Sequence, residues 1–370
     1  MKEERFSHEK GGRHGPHDKN YHPHHPEGAH DNAGHHVRGE DLLKVSNLSV
    51  EYTAGKKITH AVNNVSFEIK RGESLALVGE SGCGKSTIAK AVLGILPDRG
   101  ARISSGEMLF EGKDLATIPE KEMEHIRGNK ISMVFQDPMT ALNPVKRILT
   151  QVSAVIRLHN PELSKHEAED RAIEMLKTVG ITPDRVRDYP HQFSGGQQQR
   201  VVVAIGLSCN PELLLADEPT TALDVTIQAQ VLDMMTELIR ERNTAMLLIT
   251  HNLGIVAETC DYVAVLYGGE IVEYGSKREV FKNPSHPYTI GLFGALPDIN
   301  SESTRLKPID GIMPEPSDLP AGCKFHTRCP YATECCKEGP VPVVELGGTH
   351  RCQCHNLEAV RAANRKEEAV

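Results

Sequence analysis

The segment Gly79-Glu80-Ser81-Gly82-Cys83-Gly84-Lys85-Ser86-Thr87 follows the apolar run Leu75-Ala76-Leu77-Val78 and opens a stretch, Lys85 to Leu96, that reads as a helix. A G-x4-G-K-[ST] loop between a strand buried on both faces and a helix is a phosphate-binding loop. Its glycines let backbone N–H groups curl around an anion, Lys85 offers a cation to the β/γ oxygens, and the Ser86 hydroxyl ligates magnesium, with the helix N-terminus adding its dipole. Such a loop demands an α/β sheet. Further strands fit Ile131 to Phe135, Leu213 to Ala216, Ala245 to Ile249 and Val263 to Leu266, alternating with helical segments, so the chemistry belongs on loops at the carboxyl ends of the strands.

A chain of 370 residues exceeds the roughly 250 to 300 over which one core usually grows, so a main domain with extras at its ends is expected. Residues 1–40 hold nine of the nineteen histidines and few large apolar residues, which predicts a disordered tail. An ordered β-rich unit starts near Leu42, with alternation in Leu43-Lys44-Val45 and Val65-Ser66-Phe67-Glu68-Ile69, and the main domain extends over 41–285. Ser164 to Val179 reads as a helix with a capping box of Ser164 and Glu167 and Gly180 beyond its end, inside a helical insert spanning about 138–193. Prolines crowd 286–320, which suits an extended surface connection. A cysteine-rich module occupies 321–357, and a short charged helix from about Leu357 ends the chain in a tail over 358–370.

Forty-two basic residues against fifty acidic ones give a net charge of −8, which leaves no basic field to hold a nucleic acid. The longest apolar runs fall far short of the roughly 18 to 20 residues that cross a bilayer, and the charged N-terminus leads into no apolar segment of a secretory signal. A cytosolic chain is expected, with any membrane role exercised through a partner.

Two further motifs carry chemistry. Leu213-Leu214-Leu215-Ala216 ends in Asp217 and Glu218, where one acid can hold magnesium and the other polarise a water, although an acid after a buried strand also serves as a helix cap. Ser194-Gly195-Gly196-Gln197 opens an apolar helix with Ser194 as N-cap and bare N–H groups at its start, an arrangement open to both an anion site and a structural cap.

The series Gly79 to Thr87, Gln136, Ser194-Gly195-Gly196-Gln197, Asp217-Glu218, Ala222-Leu223-Asp224 and Thr250-His251, in that order, resembles the complete motif set of an ATP-binding-cassette (ABC) ATPase over about 42–285. The resemblance implies a mixed sheet with a β-rich edge subdomain, and Walker A, Q-loop, signature, Walker B, D-loop and switch-histidine roles for these segments. ATP and Mg2+ would then be held by Gly79, Ser81, Gly82, Cys83, Gly84, Lys85, Ser86, Thr87, Gln136 and Asp217, with Ser194, Gly195, Gly196 and Gln197 covering the nucleotide of a second subunit. Magnesium would meet Ser86, Gln136 and Asp217, and Glu218, Gln136 and His251 would act in hydrolysis. Tyr52 lies where the family stacks an aromatic on adenine, and also where an ordinary strand-surface tyrosine would lie.

Phe135-Gln136-Asp137-Pro138-Met139-Thr140-Ala141-Leu142-Asn143-Pro144, His286-Pro287-Tyr288-Thr289-Ile290-Gly291-Leu292 and the terminal cysteine region resemble the oligopeptide/dipeptide/nickel permease ATPases, D-type subunit. That branch implies a peripheral motor on the cytoplasmic face of the cell membrane, an F-type ATPase partner, two permease subunits and an extracytoplasmic substrate-binding protein. Short peptides are the expected cargo; nickel or another transition metal is the alternative, raised by the histidine tail. A non-transport ABC ATPase fits less well, since only 57 residues lie between Gln136 and Ser194 and leave no room for a coiled coil.

Six of the nine cysteines lie between Cys323 and Cys354. In a reducing compartment such clustering favours metal over disulfides. Cys323, Cys329, Cys336 and Cys354 are spaced too widely for the tight pairs of structural zinc, and the resemblance implies a [4Fe-4S] cluster on these four. Zinc and metal-free thiols stay open, and Cys335 and Cys352 could each replace a neighbour.

Overall fold

The computed structural model describes residues 39–221, 223–295 and 308–367. All but the last two residues of the expected histidine-rich tail therefore lie outside the described residues, as does Ala222 of the D-loop motif. The strands are β1 (Asp41–Ala54), β2 (Lys57–Lys70), β3 (Ser74–Val78), β4 (Ala101–Phe110), β5 (Lys113–Asp114) and β6 (Ile131–Val134). They continue with β7 (Leu213–Asp217), β8 (Ala245–Ile249), β9 (Tyr262–Tyr267), β10 (Glu270–Ser276), β11 (Val343–Gly347) and β12 (His350–Gln353).

Two sheets organise the chain. An antiparallel sheet runs β2-β1-β4-β5, and a mixed sheet runs β11-β12-β10-β9-β3-β8-β7-β6. In the latter, β9, β3, β8, β7 and β6 are mutually parallel and β10, β12 and β11 add antiparallel strands at one edge. Every residue of β3, β7 and β8 is buried, because helices or a second sheet cover both faces. The strand period of two then divides the core. Leu75, Leu77, Leu213, Leu215, Leu247 and Ile249 face the antiparallel sheet and the helices Lys85–Val92 and Glu120–Ile126, whereas Ala76, Val78, Leu214, Ala216, Met246 and Leu248 face helices on the other side.

Between Gln136 and Ser194 the chain forms the helices Pro138–Ala141, Ile148–His159 and Lys165–Thr178. Ser164 caps the last of these and Glu167 closes the box in return. Ile148, Val152 and Ile156 on one helix and Ala168, Ala172 and Leu176 on the next join the helix-side core.

Two expectations change. The helix at the phosphate loop stops at Val92 rather than Leu96: the Ile95 N–H bonds the Lys90 carbonyl and the Gly94 N–H the Ala91 carbonyl, a Schellman termination. The proline-rich stretch is not extended throughout, since Pro287–Gly294 is a helix. Pro287 occupies its first turn, where no N–H is needed, and His286 Nδ1 accepts the Tyr288 N–H at 3.1 Å. Tyr288 and Thr289 are fully buried, which draws this helix into the core.

The cysteine-rich segment is also more than an appendage. Its hairpin, β11 and β12, extends the mixed sheet through β10, with Glu273 opposite Cys352 and Tyr274 opposite Arg351. Glu273, wholly buried, accepts the N–H groups of Ser285 and His286, each at 2.8 Å, and lies 2.8 Å from His350 Nε2.

Candidate functional site

The loop after β3 closes around Lys85. Lys85, buried, donates from Nζ to the carbonyls of Gly79 (2.8 Å) and Glu80 (2.9 Å) and lies 3.7 Å from Cys83 Sγ. Gly84 takes φ +104°, and a Cβ there would stand 2.3 Å from the Ala61 carbonyl oxygen, so only glycine lets the loop pass β2. Burial raises the Cys83 thiol pKa despite the nearby Lys85, which keeps it a neutral packing group. The Tyr52 hydroxyl approaches Thr87 Oγ1 at 3.5 Å, which sets the ring at the rim of this loop.

At the carboxyl end of β7, Ser86 donates its hydroxyl to Asp217 Oδ1 at 2.9 Å. Burial, then the neighbouring Glu218, raise the Asp217 pKa against the Ser86 hydrogen bond and the charges of Lys90 and Lys85, so this is a desolvated carboxylate. A hydroxyl and a desolvated carboxylate are the hard oxygen donors that magnesium takes, and the pair fits that ion.

Glu218 adopts φ +45°, which turns its side chain away from the strand direction, and it becomes a hub. Oε2 accepts from Gln136 Nε2 at 2.9 Å and from the Thr221 hydroxyl at 2.8 Å, while Oε1 lies 3.6 Å from His251 Nδ1. Three segments read separately in the sequence thus converge on one carboxylate. Thr221, which sequence reading passed over, sits three residues after Glu218, and that spacing is its only local signal.

The Ser194–Gln197 motif is built differently. Ser194 Oγ accepts the Gln197 N–H at 3.4 Å, Gln197 Oε1 accepts the Ser194 N–H at 3.2 Å, and Arg185 also donates to that oxygen at 3.2 Å. Gly196 lies against the helix Val225–Glu241: a Cβ there would come within 2.4 Å of Ile227 Cγ2. The cap bonds and Arg185 thus occupy the Ser194 and Gln197 side chains, while Ser194 and Gly195 are exposed.

The family described as ABC transporter matches residues 62–221, which include the phosphate loop, the Gln136 segment, the capped glycines and the two acids. The chain is 45% identical over 334 residues to the dipeptide transport ATP-binding protein DppD of Bacillus subtilis, covering 90% of this chain and 98% of that protein. It belongs to the ABC transporter family. The oligopeptide transport ATP-binding protein AppD of the same organism is 48% identical, with 86% of this chain and 98% of that one covered. A second family, described as oligopeptide/dipeptide transporter, C-terminal region, matches residues 272–336. Among solved structures, the ATP-binding cassette MJ0796, a dimer in a post-hydrolysis state bound to ADP and Pi, aligns with a TM-score of 0.58 at 29% identity, over 64% of this chain and 98% of that one. The chain is accordingly an ATP-hydrolysing subunit of an ABC transporter, in the branch of dipeptide and oligopeptide transport ATP-binding proteins. No helix among the described residues is long and apolar enough to cross a membrane.

The cysteines of the C-terminal segment of this ABC ATPase act on one another. Burial, then Cys329, Cys336 and Cys354, pushes the Cys323 thiol up to about 12; burial, then Cys354 and Cys336, pushes Cys329 up to about 11. Cys354 is raised too, by burial and then by Cys336 and Cys335. Cys335 is exposed, and Cys352 is buried in β12, its thiol raised first by burial and then by Glu273, Cys354 and Cys323. The expected ligand set of Cys323, Cys329, Cys336 and Cys354 shares one electrostatic neighbourhood, and Cys335 and Cys352 lie in it too. It is nonetheless not arranged as a metal site: among the described residues no group of three or more His, Cys, Asp or Glu could hold a metal ion. Zinc, with Zn–S near 2.3 Å, would need such a tight group.

Proposed function

We propose that this subunit is the motor of a peptide importer, in which ATP bound at residues 79–87 is hydrolysed by groups centred on Glu218. The convergence of Gln136, Thr221 and His251 on Glu218, beside the Ser86–Asp217 pair, carries this reading. Lys85 exchanges its bonds to the Gly79 and Glu80 carbonyls for phosphate oxygens, and Ser86, Asp217 and Gln136 would hold magnesium. Magnesium, when bound, neutralises phosphate charge. Glu218 accepts a proton from the attacking water while Gln136 and Thr221 hold its carboxylate in place, and His251 faces the γ-phosphate. Tyr52 stacks on the adenine.

The exposed Ser194–Gly195 start of this helix supports a composite site, in which its N–H groups cover the nucleotide of a second subunit and close the dimer. The proposed second subunit is a related F-type ATPase, and the pair drives two permease subunits from the cytoplasmic face, with substrate supplied by an extracytoplasmic binding protein. The names of the relatives, dipeptide and oligopeptide transport proteins, favour short peptides as cargo. Uptake by the reconstituted transporter, offered peptides and nickel in competition, tests this: peptide uptake lost in Glu218→Gln and untouched by excess nickel supports it, and nickel-selective uptake overturns it.

For the cysteine segment, the shared neighbourhood of Cys323, Cys329, Cys336 and Cys354 supports a structural [4Fe-4S] cluster, whose binding would draw these thiols together as thiolates. Iron and acid-labile sulfide assays after anaerobic purification decide it. Loss of iron in Cys336→Ser but not Cys335→Ser is expected; colourless protein with one zinc per chain overturns it.

A further inference from the structure

The phosphate loop is gripped from outside the cassette. Arg328, from the cysteine-rich segment, donates from Nη1 to both carboxylate oxygens of Glu80, at 2.9 and 3.0 Å, across 248 positions of chain. Its side chain is only 5% exposed, and its other donors are committed: Nε to the Asp310 carbonyl at 2.9 Å, Nη2 to the Ile309 carbonyl at 3.4 Å, and Nη1 also to the Tyr267 hydroxyl at 3.3 Å. The backbone of Glu80 is held as well, since its N–H donates to the Tyr288 hydroxyl at 2.9 Å. Tyr267, Tyr288 and Phe325 pack ring on ring behind these contacts, with centroids 4.7 to 5.4 Å apart. The Met313 methyl lies 3.6 Å from where a Cβ on Gly82 would stand, so the connecting strap also touches the loop.

We propose that Arg328 is a positioning residue of the nucleotide site, neutralising Glu80 and keeping its carboxylate away from Lys85 and from the phosphates. The reason lies in the loop itself. Glu80 is the anionic side chain of a segment that must receive a polyanion, and its own carbonyl already touches Lys85 at 2.9 Å. Released from Arg328, the Glu80 carboxylate would compete with phosphate for the Lys85 ammonium and add like charge beside it. Arg328 removes both effects, because its guanidinium is fixed by the strap carbonyls and by the rings of Tyr267 and Phe325, 5.8 and 5.9 Å away. ATP binding therefore depends on the C-terminal segment being seated on the cassette.

This inference rests on ATP occupying residues 79–87, and the experiment separates the two. Equilibrium ATP binding is measured by calorimetry on the full chain and on Arg328→Gln, Arg328→Lys, Glu80→Gln/Arg328→Gln and Lys85→Ala. Arg328→Gln should weaken ATP binding at least tenfold, Arg328→Lys less, and the double variant should return to within threefold of the parent, because no carboxylate is left to neutralise. A merely structural arginine predicts no rescue by Glu80→Gln. ATP binding unchanged in Arg328→Gln, or a double variant at least tenfold weaker than the parent, overturns the proposal. The double variant decides alone should Arg328→Gln fail to fold. Unaltered binding in Lys85→Ala would instead overturn the nucleotide reading, and this inference with it.

Discussion

Replacing Glu218 by Gln is the most discriminating perturbation of the site, because it changes charge with almost no change in shape. In the parent, Gln136 and Thr221 both donate to Oε2, at 2.9 and 2.8 Å. A glutamine whose amide oxygen takes the Oε2 position keeps both donors, and its amide nitrogen then faces His251 Nδ1, which lies 3.6 Å from Oε1 in the parent. The side chain therefore stays where it is, and the left-handed backbone of residue 218 is unaltered. What disappears is the ability to take a proton from water. General-base catalysis contributes about 10² to 10⁴ in rate, equivalent to about 2.7 to 5.4 kcal/mol of barrier. ATP affinity should stay within about threefold of the parent, since Lys85, Ser86 and Asp217 are untouched. The assays are equilibrium nucleotide binding and steady-state phosphate release by the assembled transporter. Hydrolysis within tenfold of the parent would refute the assignment of Glu218, and loss of binding together with turnover would show that the carboxylate holds nucleotide rather than activating water.

Gly196→Ala should destabilise the fold by about 1 to 3 kcal/mol through overpacking against Ile227, and Ile227→Ala in the same chain should recover much of it; urea denaturation of the three variants checks this. Glu273→Ala leaves the Ser285 and His286 amides and His350 without their acceptor, and at about 1 to 3 kcal/mol for each orphaned donor the loss should reach at least about 3 kcal/mol. A loss below 1 kcal/mol by the same measurement would contradict the role given to that carboxylate. Glu111 is partly buried, which raises its pKa, but Lys130 and Arg71 outweigh this and lower it from 4.5 to about 2. Its contribution is therefore full above about pH 4.5 and is lost as pH falls through about 2. Urea midpoints should fall less steeply across that window in Glu111→Gln than in the parent.

What the sequence disclosed follows the range of the interactions involved. β3 was legible because a strand buried on both faces must be apolar throughout, and the Ser164 box because cap and partner lie three residues apart. The phosphate loop, with its glycines and Lys85 in one short segment, is equally local. β12, by contrast, is four residues, His350-Arg351-Cys352-Gln353, with little strand character of its own; it exists because β10 offers a free edge and Glu273 a partner for His350. The helix at Tyr288 was hidden among prolines, which forbid a helix interior but suit its first turn. The pairing of Arg328 with Glu80 left no trace, since no periodicity links positions so far apart.

The hairpin at the far end of the chain also governs the order in which the protein is made. β10 leaves the ribosome some seventy-five residues before β12 does, and until then it is the open margin of a sheet whose parallel centre is already complete. A bare margin of this kind pairs readily with other chains. Nascent or C-terminally truncated copies are thus the aggregation-prone forms, and the last strands act as a closing selvedge whose arrival ends the period of risk.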